Sequence, residues 1–353
     1  MFRYILFILV FFSVLEVVSR IIFPNFNYNN IHYEIDSNHK VIKGIDHYVS
    51  YLDDLNNVSF RVEEKYQKIK LNDNKNKIFF LGDSVTLGFG VGFQDTYFQK
   101  FNDKNNKYQI LAASNLGVSS KDIFRIIDKN LTSFLNKGDT LIYQFNFNDI
   151  TIRNQTDIKN RQIKDNESYL KNKLNKFANY TQKIRFQYLS HSTFFKILQH
   201  YASLQTKKLK GDCLERSKHA IGMYTFSYFS EGYKEISEKL WNEFESELIN
   251  TKEILKSKNI NFYILISPIS LQLKNHGAVN KLKLDINCST KNGRNHLIEI
   301  LKSNQIEFVD PLTEFLKYEK ESETILFHEF DTNHPNEIGH SLISESLNNF
   351  IKN

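Results

Sequence analysis

Four short polar clusters hold the residues of this chain that could do chemistry. The first is Gly82-Asp83-Ser84, which closes the apolar run IFFL and is followed by more glycines in VTLGFGVG. A serine so placed can cap a helix, bind a phosphate or attack an electrophile. Phosphate loops read GxxxxGK[ST] or GxGxxG at a helix start, whereas Gly88, Gly90 and Gly92 give GxGxG with no Lys after them. A plain N-cap at Asp83 or Ser84 stays open. A nucleophile needs a base, and the base needs a group to orient it.

His334 can be that base, and Asp331, three residues earlier in DTNHP, can hold its other ring nitrogen. Attack on a carbonyl also needs donors aimed at the developing oxyanion. Three candidates are the backbone N–H of Ser84, the unobstructed N–H of Gly117 in SNLGVSS, and the side-chain amide of Asn148 in NFND. Asp83, Asn115 and Asp149 read as structural neighbours that bond loop backbone.

The elements that must position these groups alternate between strand and helix. Apolar runs at 78–81, 108–112, 140–145, 262–266 and 306–309 predict five strands. Between and after them lie amphipathic stretches. One has Ile123, Ile126, Ile127, Leu131 and Phe134 on a single face, with Ser119 and Asp122 spaced as a capping box. A second carries Ile236, Leu240, Phe244 and Leu248, and a third covers 336–351. This alternation predicts a doubly wound, parallel α/β sheet, whose ligands gather at the carboxyl ends of the strands. All four polar clusters fall at such ends. Residues 150–230 break the alternation and are expected to form an inserted helical subregion.

FLGDSVTLGFGV resembles the first sequence block of the GDSL/SGNH hydrolases. SNLGVSS, NFND and DTNHPNEIGH resemble the second, third and fifth, in the right order. The resemblance implies a flavodoxin-like three-layer α/β/α fold with about five parallel strands. It implies Ser84 as nucleophile, His334 as base, Asp331 as its partner, and Ser84, Gly117 and Asn148 as oxyanion donors, with no cofactor or metal. The third block usually begins with glycine, and here that position is Asn146. Anchored proteins of this layout resemble enzymes that remove or move acetyl groups on polysaccharides. The expected activity is therefore hydrolysis of O-acyl esters on a small molecule or glycan. An O-acyltransferase using the same triad is one alternative, and a non-catalytic glycan-binding or scaffold protein is another.

Residues 1–24 are almost wholly apolar from Tyr4 to Leu15, then carry Glu16 and Arg20 one turn apart. No small-x-small cleavage site follows. The expectation is an uncleaved transmembrane anchor in the cell membrane, an irregular lead over 25–75, and an extracytoplasmic domain over 76–353. The +6 net charge is spread among 40 acidic residues, which disfavours a nucleic-acid partner. The two cysteines, Cys213 and Cys288, show no metal-ligand spacing. They could pair only in an oxidising compartment. Nothing in the sequence bears on oligomeric state.

Overall fold

The computed structural model describes residues 2–22, 31–33, 39–42, 45–52, 58–72, 74–114, 118–150, 194, 234–273, 292–322, 324–328, 331 and 333–352. The expected insertion over 150–230, the Gly117 loop and both cysteines therefore lie almost or wholly outside the described residues.

The chain divides into two compact units. One comprises Met1–His32, Val41–Gly44 and Arg153–Lys208. It contains helix α1 (Phe2–Ile22), on which Arg20 Nε donates to Glu16 Oε1 at 2.8 Å. Glu16 also accepts the Phe194 N–H at 3.0 Å, and the Phe12 and Phe194 rings meet at 6.2 Å. The expected span across a membrane is not borne out: among the described residues, no helix is long and apolar enough to cross one. The uninterrupted apolar run ends before Glu16, after about 18 Å of helix, well short of a hydrocarbon core roughly 30 Å thick.

The second unit comprises Tyr33–Lys40, Ile45–Ile152 and Leu209–Asn353. Two short strands, β1 (Ile31–Tyr33) and β2 (His39–Ile42), each divided between the two units, precede seven more in the second unit. These are β3 (Ile45–Tyr51), β4 (Ser59–Val62), β5 (Lys77–Gly82), β6 (Gln109–Ser114), β7 (Thr140–Phe145), β8 (Asn261–Ile266) and β9 (Phe308–Val309). From β3 onward their spatial order is β3-β4-β6-β5-β7-β8-β9. Strands β6, β5, β7, β8 and β9 are parallel, in the order 2-1-3-4-5 of a flavodoxin-like sheet. The five-strand expectation covers this part. It misses β3 and β4: β3 pairs with β4 and β4 with β6, both antiparallel, which makes the sheet mixed. Their stretch of sequence is polar and short in apolar runs, which is why 25–75 reads as an irregular lead.

The central strands are buried on both faces, and successive side chains feed two separate cores. Phe79, Leu81, Leu141, Tyr143 and Phe145 face one core, with α4 (Ser120–Lys129), α5 (Lys234–Ser257) and α6 (Asn292–Ser303) packed over it. Ile78, Phe80, Ile142 and Leu265 face the other, under α3 (Tyr97–Asn102), α7 (Leu312–Glu321) and α8 (Glu337–Lys352). The result is the expected three-layer α/β/α arrangement. The capping box at the start of α4 forms as expected, with Ser119 Oγ accepting the Asp122 N–H and Asp122 accepting the Ser119 N–H.

Candidate active site

Strand β5 ends at Gly82, and the chain turns at once into the one-turn helix α2 (Ser84–Leu87). Asp83 is its N-cap, its Oδ1 accepting the Val85 N–H at 2.9 Å. The capping role open to two residues thus falls to Asp83, which frees the Ser84 side chain. As the first residue of the helix, Ser84 has no intrahelical acceptor for its own N–H. Gly82 is required by space: a Cβ there would overlap Thr86 Oγ1 and Gln144 Oε1. These two atoms belong to a buried chain in which Tyr97 O–H donates to Thr86 Oγ1 and Thr86 donates to Gln144 Oε1, each at 2.9 Å.

On the other side, the loop before α8 carries Asp331 and His334. Asp331 Oδ1 accepts the N–H groups of Asn333 and His334 at 2.7 and 3.1 Å, which fixes the carboxylate in a tight turn. Its Oδ2 lies 2.6 Å from His334 Nδ1, and His334 Nε2 lies 2.7 Å from Ser84 Oγ. A carboxylate can only accept, so Nδ1 carries the proton and Nε2 presents its lone pair to the serine hydroxyl. Burial pulls the His334 pKa down, but the charge and hydrogen bond of Asp331, with the charge of Asp83, outweigh it and the net shift is upward. All three residues predicted for the relay are brought together in hydrogen-bonded order.

Asn148 sits in a single 3-10 turn (Phe147–Asp149) after β7 and is half-buried. Its amide lies by Asp83 and favours that carboxyl's charged form, while burial, the larger effect, pushes the Asp83 pKa up. Asp149 anchors the same turn: its Oδ2 accepts the Asn146 N–H at 3.0 Å and the Tyr143 hydroxyl at 2.7 Å. Burial, and then the charge of Asp83, push Asp149 well above the ordinary carboxylate range. Asn146 adopts an extended backbone, φ −122° and ψ 145°, so this position does not need a glycine for its conformation. Gly117, the remaining predicted donor, lies outside the described residues.

Three further residues at the site are given no role by the motifs. Phe89 stacks on the His334 ring, with centroids 4.1 Å apart and planes 22° from parallel. His328 Nε2 lies 3.1 Å from the Phe89 carbonyl, and His47 Nε2 lies 2.9 Å from the Gly88 carbonyl. His47 comes from β3, far from any of the four clusters. For His328, the signal was its place just upstream of Asp331.

No family model matches the chain, and no curated protein matches it. Solved structures do. One is a lipolytic protein of the G-D-S-L family from Veillonella parvula, 13% identical, covering 78% of this chain and 98% of its own, with a TM-score of 0.41. Another is a catalytic mutant of Axe2, an acetylxylan esterase from Geobacillus stearothermophilus, 12% identical, covering 78% and 94%, with a TM-score of 0.42. A third is the α/β hydrolase LAE5 from the metagenome of Lake Arreo, Spain, 13% identical, covering 77% and 93%, with a TM-score of 0.37.

Proposed function

We propose that this protein is a serine esterase of the SGNH type. The observation that carries the reading is the continuous relay from Ser84 Oγ through His334 to Asp331, with contacts of 2.7 and 2.6 Å. His334 Nε2 takes the hydroxyl proton as Ser84 Oγ attacks the ester carbonyl. The new C–O bond gives a tetrahedral oxyanion, received by the Ser84 N–H, the Asn148 amide and the Gly117 N–H. Its collapse expels the alcohol, which takes the proton from His334. Water, deprotonated by the same imidazole, then releases the acid.

The substrate class we propose is O-acyl, chiefly acetyl, esters on a small molecule or a glycan. The Axe2 esterase among the similar structures has a substrate of that kind in its name. The test compares wild type with Ser84→Ala for acetate release from p-nitrophenyl acetate and from an acetylated polysaccharide. Release that persists in Ser84→Ala refutes the reading. A wild type that a fluorophosphonate labels but that releases no acetate without a glycan acceptor is a transferase. A wild type that neither turns over nor labels is the non-catalytic alternative.

We also propose that α1 attaches the protein to the cell membrane, with the α/β unit on the extracytoplasmic side. Phe7, Val10, Phe11, Val14, Val17 and Ile21 stand exposed along it, an array that lipid would accommodate better than water. Flotation with vesicles that is lost on deleting residues 1–22 supports this. Equal flotation of the shortened chain rules it out.

A further inference from the structure

The loop after the nucleophile helix touches the base as well as the nucleophile. Gly88 and Gly90 adopt left-handed backbones, φ +74° and +82°, and between them they turn Phe89 inward until it is 8% exposed. Its ring then covers one face of His334. Two buried histidines hold this loop from different parts of the chain. His47 reaches it from β3, lying 2.9 Å from the Gly88 carbonyl and 3.3 Å from the Gly90 nitrogen. In either tautomer the ring engages the loop: as Nε2–H it donates to Gly88, and as a bare Nε2 it accepts from Gly90. His328 Nε2–H donates to the Phe89 carbonyl at 3.1 Å. A Cβ at Gly90 would come within 2.6 Å of that same nitrogen.

His328 belongs to the other side of the site too. Its backbone N–H donates to the His334 carbonyl at 3.1 Å, and its carbonyl accepts the Asp331 N–H at 3.0 Å. One residue therefore ties the loop carrying the base to the loop carrying the ring that lies on the base.

We propose that Phe89 is a positioning residue for the base, fixing the plane of the His334 imidazole, and that His328 and His47 hold Phe89 in place. This rests on the esterase reading for its chemistry. A flat neighbour stops the imidazole from tilting out of the line between Asp331 and Ser84. The π-face also stabilises the imidazolium formed when Ser84 gives up its proton. Among the described residues, the other titratable groups around His334 are Asp331 on its own loop, Asp83 just after β5, His328 upstream and His340 on α8.

The test uses the full chain and p-nitrophenyl acetate, with Phe89→Leu, His328→Ala and the double variant. Phe89→Leu is expected to lower kcat about tenfold while KM stays within about twofold. The acid limb of kcat/KM should move down by about half to one pH unit. His328→Ala should lower kcat in the wild-type background and by less than about twofold in the Phe89→Leu background, because it acts through Phe89. A ring titration of His334 by NMR reads the same displacement without turnover, and Phe89→Met supplies a second substitution of similar bulk should Leu unfold the loop. An unmoved titration in both variants, or a loss confined to KM, overturns the positioning role. An undiminished His328→Ala effect in the Phe89→Leu background overturns the tie. If wild type neither hydrolyses the ester nor reacts with a fluorophosphonate, the esterase reading fails, and the titration still decides whether Phe89 acts on His334.

Discussion

His334 Nε2 stands 2.7 Å from Ser84 Oγ although 250 residues of chain separate them. The sheet closes that distance. Strand β5 delivers the serine at its carboxyl end, and α8, packed against α3 over the same core, brings the histidine loop to that edge. Ser84→Ala should lower kcat by at least about 10³-fold, and Asp331→Asn by about 10⁴-fold if the wrong imidazole tautomer results. Steady-state rates with p-nitrophenyl acetate check both. Unchanged melting of Ser84→Ala would show that the loss is chemical.

In the proposed mechanism His334 must be neutral to accept a proton, so activity should rise with pH through its pKa. Burial pulls that pKa down, but Asp331 and Asp83 together outweigh it and hold it above the ordinary 6.5. The acid limb of kcat/KM should therefore sit above 6.5 in wild type. In Asp331→Asn it should fall below the wild-type position, because burial then acts with less opposition. The same shift adds stability that is complete below pH 6.5 and fades as pH rises through the folded-state value.

Asp149 is held neutral-leaning by burial and by Asp83, yet its Oδ2 is used only as an acceptor for Asn146 N–H and Tyr143 O–H. An amide oxygen can accept both. Its folded pKa lies above the unfolded value, so the wild type loses stability as pH rises above about 4. Asp149→Asn should be close to wild type in denaturant midpoint near pH 4 and gain on it as pH rises from there. A gap that stays constant with pH would contradict this.

Gly82→Ala places a methyl group against Thr86 Oγ1 and Gln144 Oε1, both committed to a buried hydrogen-bonded chain. Overpacking of this kind costs about 1–3 kcal/mol. Urea unfolding should show that loss, and the proposed esterase activity should fall with it because Gly82 and Thr86 each lie two residues from Ser84.

The five parallel strands were legible because each is a short apolar run, buried throughout in β5 and β7, and the relay was legible because its residues stand in compact motifs at strand ends. The clamp on Phe89 was not. His47 and His328 are single histidines in unremarkable surroundings, and only the fold brings β3 beside the Gly88 turn. At Asn146, where the third block usually has glycine, sequence names the residue but not its φ, and the backbone there is extended. Burial also turned polar residues to uses that no spacing rule marks, as with Tyr143 under Asp149.

Strands β3 and β4 carry one further consequence. Without them, β6 would be the open margin of the sheet, a row of unpaired amides and carbonyls flanked by Leu111 and Ala113. Open margins of that kind recruit other chains and aggregate. A chain trimmed to begin at residue 76, where sequence alone would draw the domain boundary, would expose that margin and lose His47 as well. A soluble enzyme should begin ahead of Ile45.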